Sequence, residues 1–330
     1  MSGKFLVDYE LRILRKWRPY PFYELVSYIL MFASVPMLAF GIKSYSSGFL
    51  EVVVLSVLCL YCGFFGAIMW NDVTDKEIDR IVHPERAIPS GVVSSKTFFA
   101  FAVILALCVF VFSVLISPWC LVLVVLNSLF VGIHNKFLKQ KIKFPAYSEI
   151  FTPLQWLTVA LFGFVAVWSL PESSGSFVVS LPILGTLRAS FESLVAMLVL
   201  VLFTYFADDA HDVAEGIHDV KGDQANGVQT YATSFGTRRA SFVSLAMFVV
   251  SGVFGVLLWY FTLLSYLFLI GFLVLWFWIV SEAYKMVKTN QNNLGQMGKR
   301  VGRRGFDYLL LTYTLIFFDV LWQLLAAGHL

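Results

Sequence analysis

Ten carboxylates in this chain crowd into two short windows, although the whole sequence holds only 21. The first window, Asn71-Asp72-Val73-Thr74-Asp75-Lys76-Glu77-Ile78-Asp79, carries Asp72, Asp75, Glu77 and Asp79. The second carries Asp208, Asp209, Asp212, Glu215, Asp219 and Asp223, ending in Asp219-Val220-Lys221-Gly222-Asp223. On a helix continued past Asn71, residues Asn71, Asp75 and Asp79 share one face, because each four-residue step turns about 400°. Asp219 and Asp223 repeat that spacing, and Asp208, Asp212, Glu215 and Asp219 extend the stripe upstream. Like charges at such spacing repel unless a cation sits among them. Mg²⁺ takes one or two carboxylates and completes its shell with phosphate oxygens and water, so two facing clusters suit a diphosphate held between them.

Basic residues stand nearby. Arg80 and Arg86 follow the first cluster, and Lys139 lies in the next polar connection. An arginine fork suits bidentate phosphate contacts, and a lysine supplies a mobile point charge. Spacing alone does not separate Lys139 from Lys136, Lys141 and Lys143. His83, His134, His211 and His218 show no metal-ligand spacing and read as hydrogen-bonded structural residues. Cys59, Cys62, Cys108 and Cys120 lie in apolar runs and read as small buried hydrophobes.

The elements that must position these residues are membrane spans. The chain has 330 residues, of which 59% are hydrophobic and 14% charged, which excludes an ordinary soluble globular domain. Apolar runs long enough for a hydrocarbon core of about 30 Å recur at 22–42, 50–70, 97–116, 118–134, 150–168, 191–207, 240–261, 262–284 and 306–327. The expected fold is all-α, a polytopic bundle of nine transmembrane helices arranged as two four-helix halves plus one. Of the 24 Lys and Arg residues, 22 fall on one side of that arrangement, leaving Lys43 and Arg188 opposite. The positive-inside rule therefore puts the N-terminus and both acidic windows in the cytoplasm, and Leu330 outside. The chain reads as one integral-membrane domain, 1–330. Residues 1–20, with Lys4, Arg12, Arg15, Lys16 and Arg18, form a retained interfacial segment, and 71–96 and 208–239 form acidic active-site loops. Pro171–Ser190 reads as an outward loop with an interfacial segment, and Thr289–Gly305 as a flexible connector.

The stretch Asn71-Asp72-x-x-Asp75-x-x-x-Asp79, continuing to Arg86-Ala87-Ile88-Pro89-Ser90-Gly91, resembles the first signature of the UbiA superfamily of intramembrane prenyltransferases. Asp219-Val220-Lys221-Gly222-Asp223 followed by Gly227-Val228-Gln229-Thr230 is similar to the second. Ala87, Lys221 and Gly216 depart from the common pattern, the last where many members carry a further Asp, so the second motif would hold its metal with fewer carboxylates unless Glu215 or Asp212 substitutes. The resemblance implies transfer of a polyprenyl group from an allylic diphosphate, with Mg²⁺ as cofactor. Asn71, Asp75 and Asp79 would bind one ion, supported by Asp72, and Asp219 and Asp223 a second. Arg86 and Lys139 match basic positions that steady the leaving group. The acceptor would be an aromatic acid, a quinone precursor, a tetrapyrrole or a glycerol-phosphate lipid, and the first motif leans toward chlorophyll synthases and archaeal ether-lipid enzymes. Membrane lipid is an expected partner, and nucleic acid is not.

Three other readings use the same residues. A terpene cyclase of the same superfamily would ionise the diphosphate and close the cation on itself. A CDP-alcohol phosphotransferase would need a DG-x-x-AR opening, which this sequence lacks. A cation transporter would place its acids near the membrane midplane, whereas these lie at the rim beside basic loops.

Overall fold

The structure, a computed structural model, describes residues 21–41 and 48–327. The basic segment 1–20, Lys43 and Leu330 lie outside the described residues. The chain opens with helices α1 (Phe22–Gly41) and α2 (Phe49–Thr74), and the short α3 (Lys76–Val82) follows. Next come α4 (Ser95–Ile116) and α5 (Pro118–Ile133), the latter running on through a π turn, His134–Leu138, to Lys141. Helices α6 (Tyr147–Phe151) and α7 (Leu154–Trp168) make one bent span. A hairpin of β1 (Phe177–Leu181) and β2 (Gly185–Ala189) leads into α8 (Phe191–Asn226). The short α9 (Tyr231–Phe235) then precedes α10 (Thr237–Phe261), α11 (Tyr266–Lys288) and α12 (Leu294–Ala326). Among the described residues, nine stretches are long and apolar enough to cross a membrane.

The physical pattern is that of a bundle bathed in lipid. Helix α4 has a window of mean hydropathy 3.1, yet Ile104, Leu107, Val111 and Leu115 point outward. Water would penalise that surface and acyl chains do not. The α4–α5 turn is as tight as the sequence suggests. Ser117 ends α4, and its side chain accepts the Cys120 N–H to cap α5, with Pro118 in the first turn where no N–H is needed.

Helix α8 forms the axis. It packs against α10 and α12, and α7 closes on it. Thr204 on α8 meets the Tyr313 hydroxyl of α12 at 2.5 Å, and Ser244 on α10 donates to the Ala210 carbonyl at 2.7 Å. Such side-chain bonds join membrane helices where hydrophobicity alone gives no preference between protein and lipid.

Several expected boundaries change. The second acidic window is a continuous helix through Asn226, and only 227–230 and Gly236 interrupt helix within 208–239. The helix brings every carboxylate of the window near one face of α8. The first window is helix on both sides of a bend at Asp75. Thr289–Gly305 is mostly the first turns of α12. Its glycines fit close packing: a Cβ on Gly298 would press on the Ala214 carbonyl, one on Gly302 on Glu215, and one on Gly305 would lie 2.7 Å from His211 Cβ. Pro171–Ser190 holds the hairpin, at the bundle end opposite the acids.

Candidate active site

The bend at Asp75 keeps the register of the first motif. The Asp75 N–H donates to the Asn71 carbonyl at 2.8 Å, and the Asp79 N–H to the Asp75 carbonyl at 2.9 Å. The four-residue ladder therefore survives the change of helix, and Asn71, Asp75 and Asp79 project in succession from one side. Asp72, Asp75 and Asp79 are all buried.

Two cations of the chain reach these acids. Lys139 Nζ donates to Asp75 Oδ2 at 2.9 Å, while Asp75 Oδ1 has no hydrogen-bond partner. Arg86 donates to Asp79 Oδ1 at 2.6 Å and stands 3.9 Å from Asp72 Oδ1. Arg86 is placed by the turn that follows α3, where its carbonyl accepts the Ser90 N–H at 3.0 Å and Val93 N–H closes on the Ala87 carbonyl at 3.1 Å.

The second motif faces the first across Lys139. Asp223 has Lys139, Asp219 and Asp75 as its charged neighbours, and Lys139 feels Asp75, Asp223 and Asp212. Burial works against the Lys139 ammonium, and those three carboxylates outweigh it, so its pKa is raised and it stays charged. His83 sits at the same mouth, near Asp79 and Asp219. Burial first, and then the Arg86 charge, lower its pKa, so it is neutral at pH 7.

The donor set fits a hard divalent cation. It is oxygen-rich, and buried carboxylate oxygens without a hydrogen-bond partner remain in it, Asp75 Oδ1 and Asp219 Oδ1; both oxygens of Asp209, further up α8, also lack one. A buried carboxylate without donors costs several kcal/mol, about 2 or more per group, unless a cation or a proton answers it.

Behind the mouth lies a cavity of about 500 Å³ between α2, α4, α5 and α7, within the range of small-molecule sites. Asn71 and Lys139 line one end, and Ala67, Gly63 and Cys59 continue down α2. Twelve residues of helix make that wall about 18 Å deep. The lining is chiefly apolar, with the rings of Phe64 and Trp156 tilted against each other at 5.4 Å between centroids, and Tyr28, outside the lining, packed on Phe64 at 4.3 Å. Polar Asn127, Asn135 and Gln155 also line it. The sequence reading missed all three, because single amides inside apolar spans carry no pattern.

Other expected residues fall away from this mouth. Arg80 pairs on the surface with Glu77 at 2.6 Å. Lys143 holds the Gly227 carbonyl at 3.0 Å, and Lys136 and Lys141 lie over the Phe137 ring. His134 is the exception, stacked on Tyr147 but within reach of the Lys139 and Asp75 charges. His211 bonds Asp208 at 3.0 Å, and with Asp212 and Glu215 it brings ligand atoms within 4.8 Å of one another, a grouping the sequence reading did not make. Glu149 was also missed. It is buried beside α8, and a lone carboxylate at the start of a span gives no signal by spacing.

Comparison with known proteins places this architecture. The model of the UbiA prenyltransferase family matches residues 30–297. The digeranylgeranylglyceryl phosphate synthase of Sulfurisphaera tokodaii is 27% identical over 68% of this chain and 70% of that protein. The synthase of the same name from Methanoregula boonei is 30% identical over 53% and 54%. Among solved structures, a UbiA homologue from Aeropyrum pernix aligns over 91% of this chain and 98% of its own, with TM-score 0.65 and 16% identity. A UbiA homologue from Archaeoglobus fulgidus bound to GPP and Mg²⁺ aligns over 90% and 99%, with TM-score 0.54 and 12% identity.

Proposed function

This chain belongs to the UbiA prenyltransferase family, and from that premise we propose that it transfers a polyprenyl group from an allylic prenyl diphosphate to a glycerol-phosphate lipid acceptor. One observation carries the reading: a buried and a half-buried acidic cluster face each other across Lys139 at the mouth of an elongated apolar cavity. The mouth suits a diphosphate with its cations, and the cavity suits the chain attached to it.

Asn71, Asp75 and Asp79 are the ligands of one Mg²⁺ in this reading, with Asp72 beside them, and Asp219 and Asp223 belong to a second. When bound, the ions would neutralise the diphosphate and favour its departure as pyrophosphate. Arg86 and Lys139 reach the same space and supply fixed positive charge to the leaving oxygens. Lys139 has the freer stem and can move from Asp75 to a phosphate oxygen, whereas Arg86, tied to Asp79, orients. The cavity excludes water from the allylic cation, and the faces of Phe64 and Trp156 favour positive charge.

The acceptor class rests on the relatives, which are named for digeranylgeranylglyceryl phosphate; both apolar chains and a phosphate would match a mouth at the membrane surface. The mouth faces the cytoplasm by the asymmetry of Lys and Arg, which gathers on the acidic end of the bundle. The chain forms one integral-membrane domain. The test supplies purified protein with geranylgeranyl diphosphate, Mg²⁺ and a geranylgeranylglyceryl phosphate acceptor, and identifies the product by mass. An acceptor heavier by one prenyl group is expected. A cyclic hydrocarbon formed without any acceptor would overturn transfer in favour of cyclisation.

A further inference from the structure

Carboxylates line one face of α8, and Glu215, at the edge of that face, packs against Gly302 of α12. Asp209, Asp212, Asp219 and Asp223 follow a spacing of three or four residues, and the position between Asp212 and Asp219 on that face is Gly216. The gap in the stripe is filled from another helix. Glu149, on α6, presses its Oε1 against Gly216 so closely that a Cβ there would collide with it.

Glu149 is held in that place by its other oxygen. Oε2 accepts the Tyr231 N–H, in the turn where Thr230 and Thr233 form a capping box. Further bonds lock the same two segments together: Ser148 N–H to the Gln229 carbonyl at 2.9 Å, and Ala146 N–H to Ser234 Oγ at 3.0 Å. Glu149 is 4% exposed, and its Oε1 has no hydrogen-bond partner. The charges acting on it most strongly are those of Asp209, Asp212 and Asp223, and the nearby Lys139 bonds Asp75. A structural carboxylate would be expected to pair both oxygens. This one pairs a single oxygen and turns the other into a stripe of acids.

We infer that Glu149 is a cation ligand of the second cluster, supplying from α6 the carboxylate that α8 lacks at position 216, and that residue 216 is glycine to admit it. The inference rests on the two-cluster metal reading above. Glu149 and Gly216 are then a matched pair: the carboxylate comes from one helix or from the other, and the space between them holds one side chain.

The experiment counts Mn²⁺ bound to purified protein in detergent, by calorimetry and by the loss of free-ion signal in electron spin resonance. It compares wild type, Glu149→Gln, Gly216→Asp and the exchange Glu149→Ala/Gly216→Asp. Gln keeps an acceptor for the Tyr231 N–H, so the metal-free melting temperature of Glu149→Gln should match wild type. Its affinity for one of two Mn²⁺ ions should fall by about tenfold or more, the scale seen when groups supporting a metal are removed. The exchange should restore binding of both ions, and Gly216→Asp alone should lower the melting temperature. Wild type binding two ions with Glu149→Gln binding them equally well would overturn this inference alone, as would an exchange variant that binds only one. Wild type binding no ion would overturn the two-cluster reading as well.

Discussion

Replacing Lys139 by methionine tests whether the mouth is built around cations. The Lys139–Asp75 bond is 2.9 Å long, between side chains 21% and 7% exposed. Two unit charges at that separation attract by about 6 kcal/mol at an effective dielectric constant of about 20. Desolvation of both groups consumes part of this, and breaking such a pair from one side costs about 3–5 kcal/mol. Asp75 would be left with neither oxygen paired, since its Oδ1 already has no partner. At about 2 °C per kcal/mol for a chain of this size, Lys139→Met should melt about 6–10 °C below wild type in EDTA. The double variant Asp75→Asn/Lys139→Met should lose less than half of that, because no buried charge is stranded. Mg²⁺ at about 100 times its Kd contributes about 2.7 kcal/mol to any protein that binds it only when folded, and it should raise Lys139→Met more than wild type. Thermal unfolding in detergent, followed by tryptophan fluorescence, reads all three. Equal melting of Lys139→Met and wild type in EDTA would refute the reasoning, as would a double variant as unstable as the sum of its parts.

Four further outcomes follow from the same geometry. Asp75→Ala and Asp219→Ala should each lower turnover by about 10²-fold or more, with the bundle still folded by circular dichroism; full activity in either would remove the two-metal assignment. Arg86→Lys keeps the charge but loses the fork that spans Asp79 and Asp72, so kcat should fall about tenfold with little change in circular dichroism. Gly63→Leu places a side chain about 12 Å down the α2 wall from Asn71, where a Cβ meets only Val109 at ordinary contact; mass analysis should show a shift to shorter prenyl donors. Arg303→Met strands Glu24, which is 1% exposed and otherwise bonded to the Tyr28 hydroxyl at 2.7 Å; the variant should be less stable by about 3 kcal/mol, read as a lower melting temperature.

The spans were legible because hydrocarbon thickness fixes their length. The acid spacing carried the site itself, since a four-residue repeat says which carboxylates share a face whether or not the helix bends at Asp75. The extension of α8 to Asn226 was hidden by the polarity of its last turns, although Gly227 at φ 69° marks its end as a left-handed cap. Gly295, Gly298, Gly302 and Gly305 read as flexibility when met singly. Three of the four face α8 at close approach, and that fact exists only once two helices are side by side. Glu149 is the extreme case: its meaning depends on Gly216, which lies 67 residues away along the chain.

The most direct test of the account is pyrophosphate release from geranylgeranyl diphosphate in the presence of acceptor, titrated with Mg²⁺ for wild type, Asp75→Ala and Asp219→Ala. The account predicts release that rises with Mg²⁺ in wild type, stops in EDTA and is lost in both variants. Release that persists in EDTA, or that survives loss of either aspartate, would contradict it.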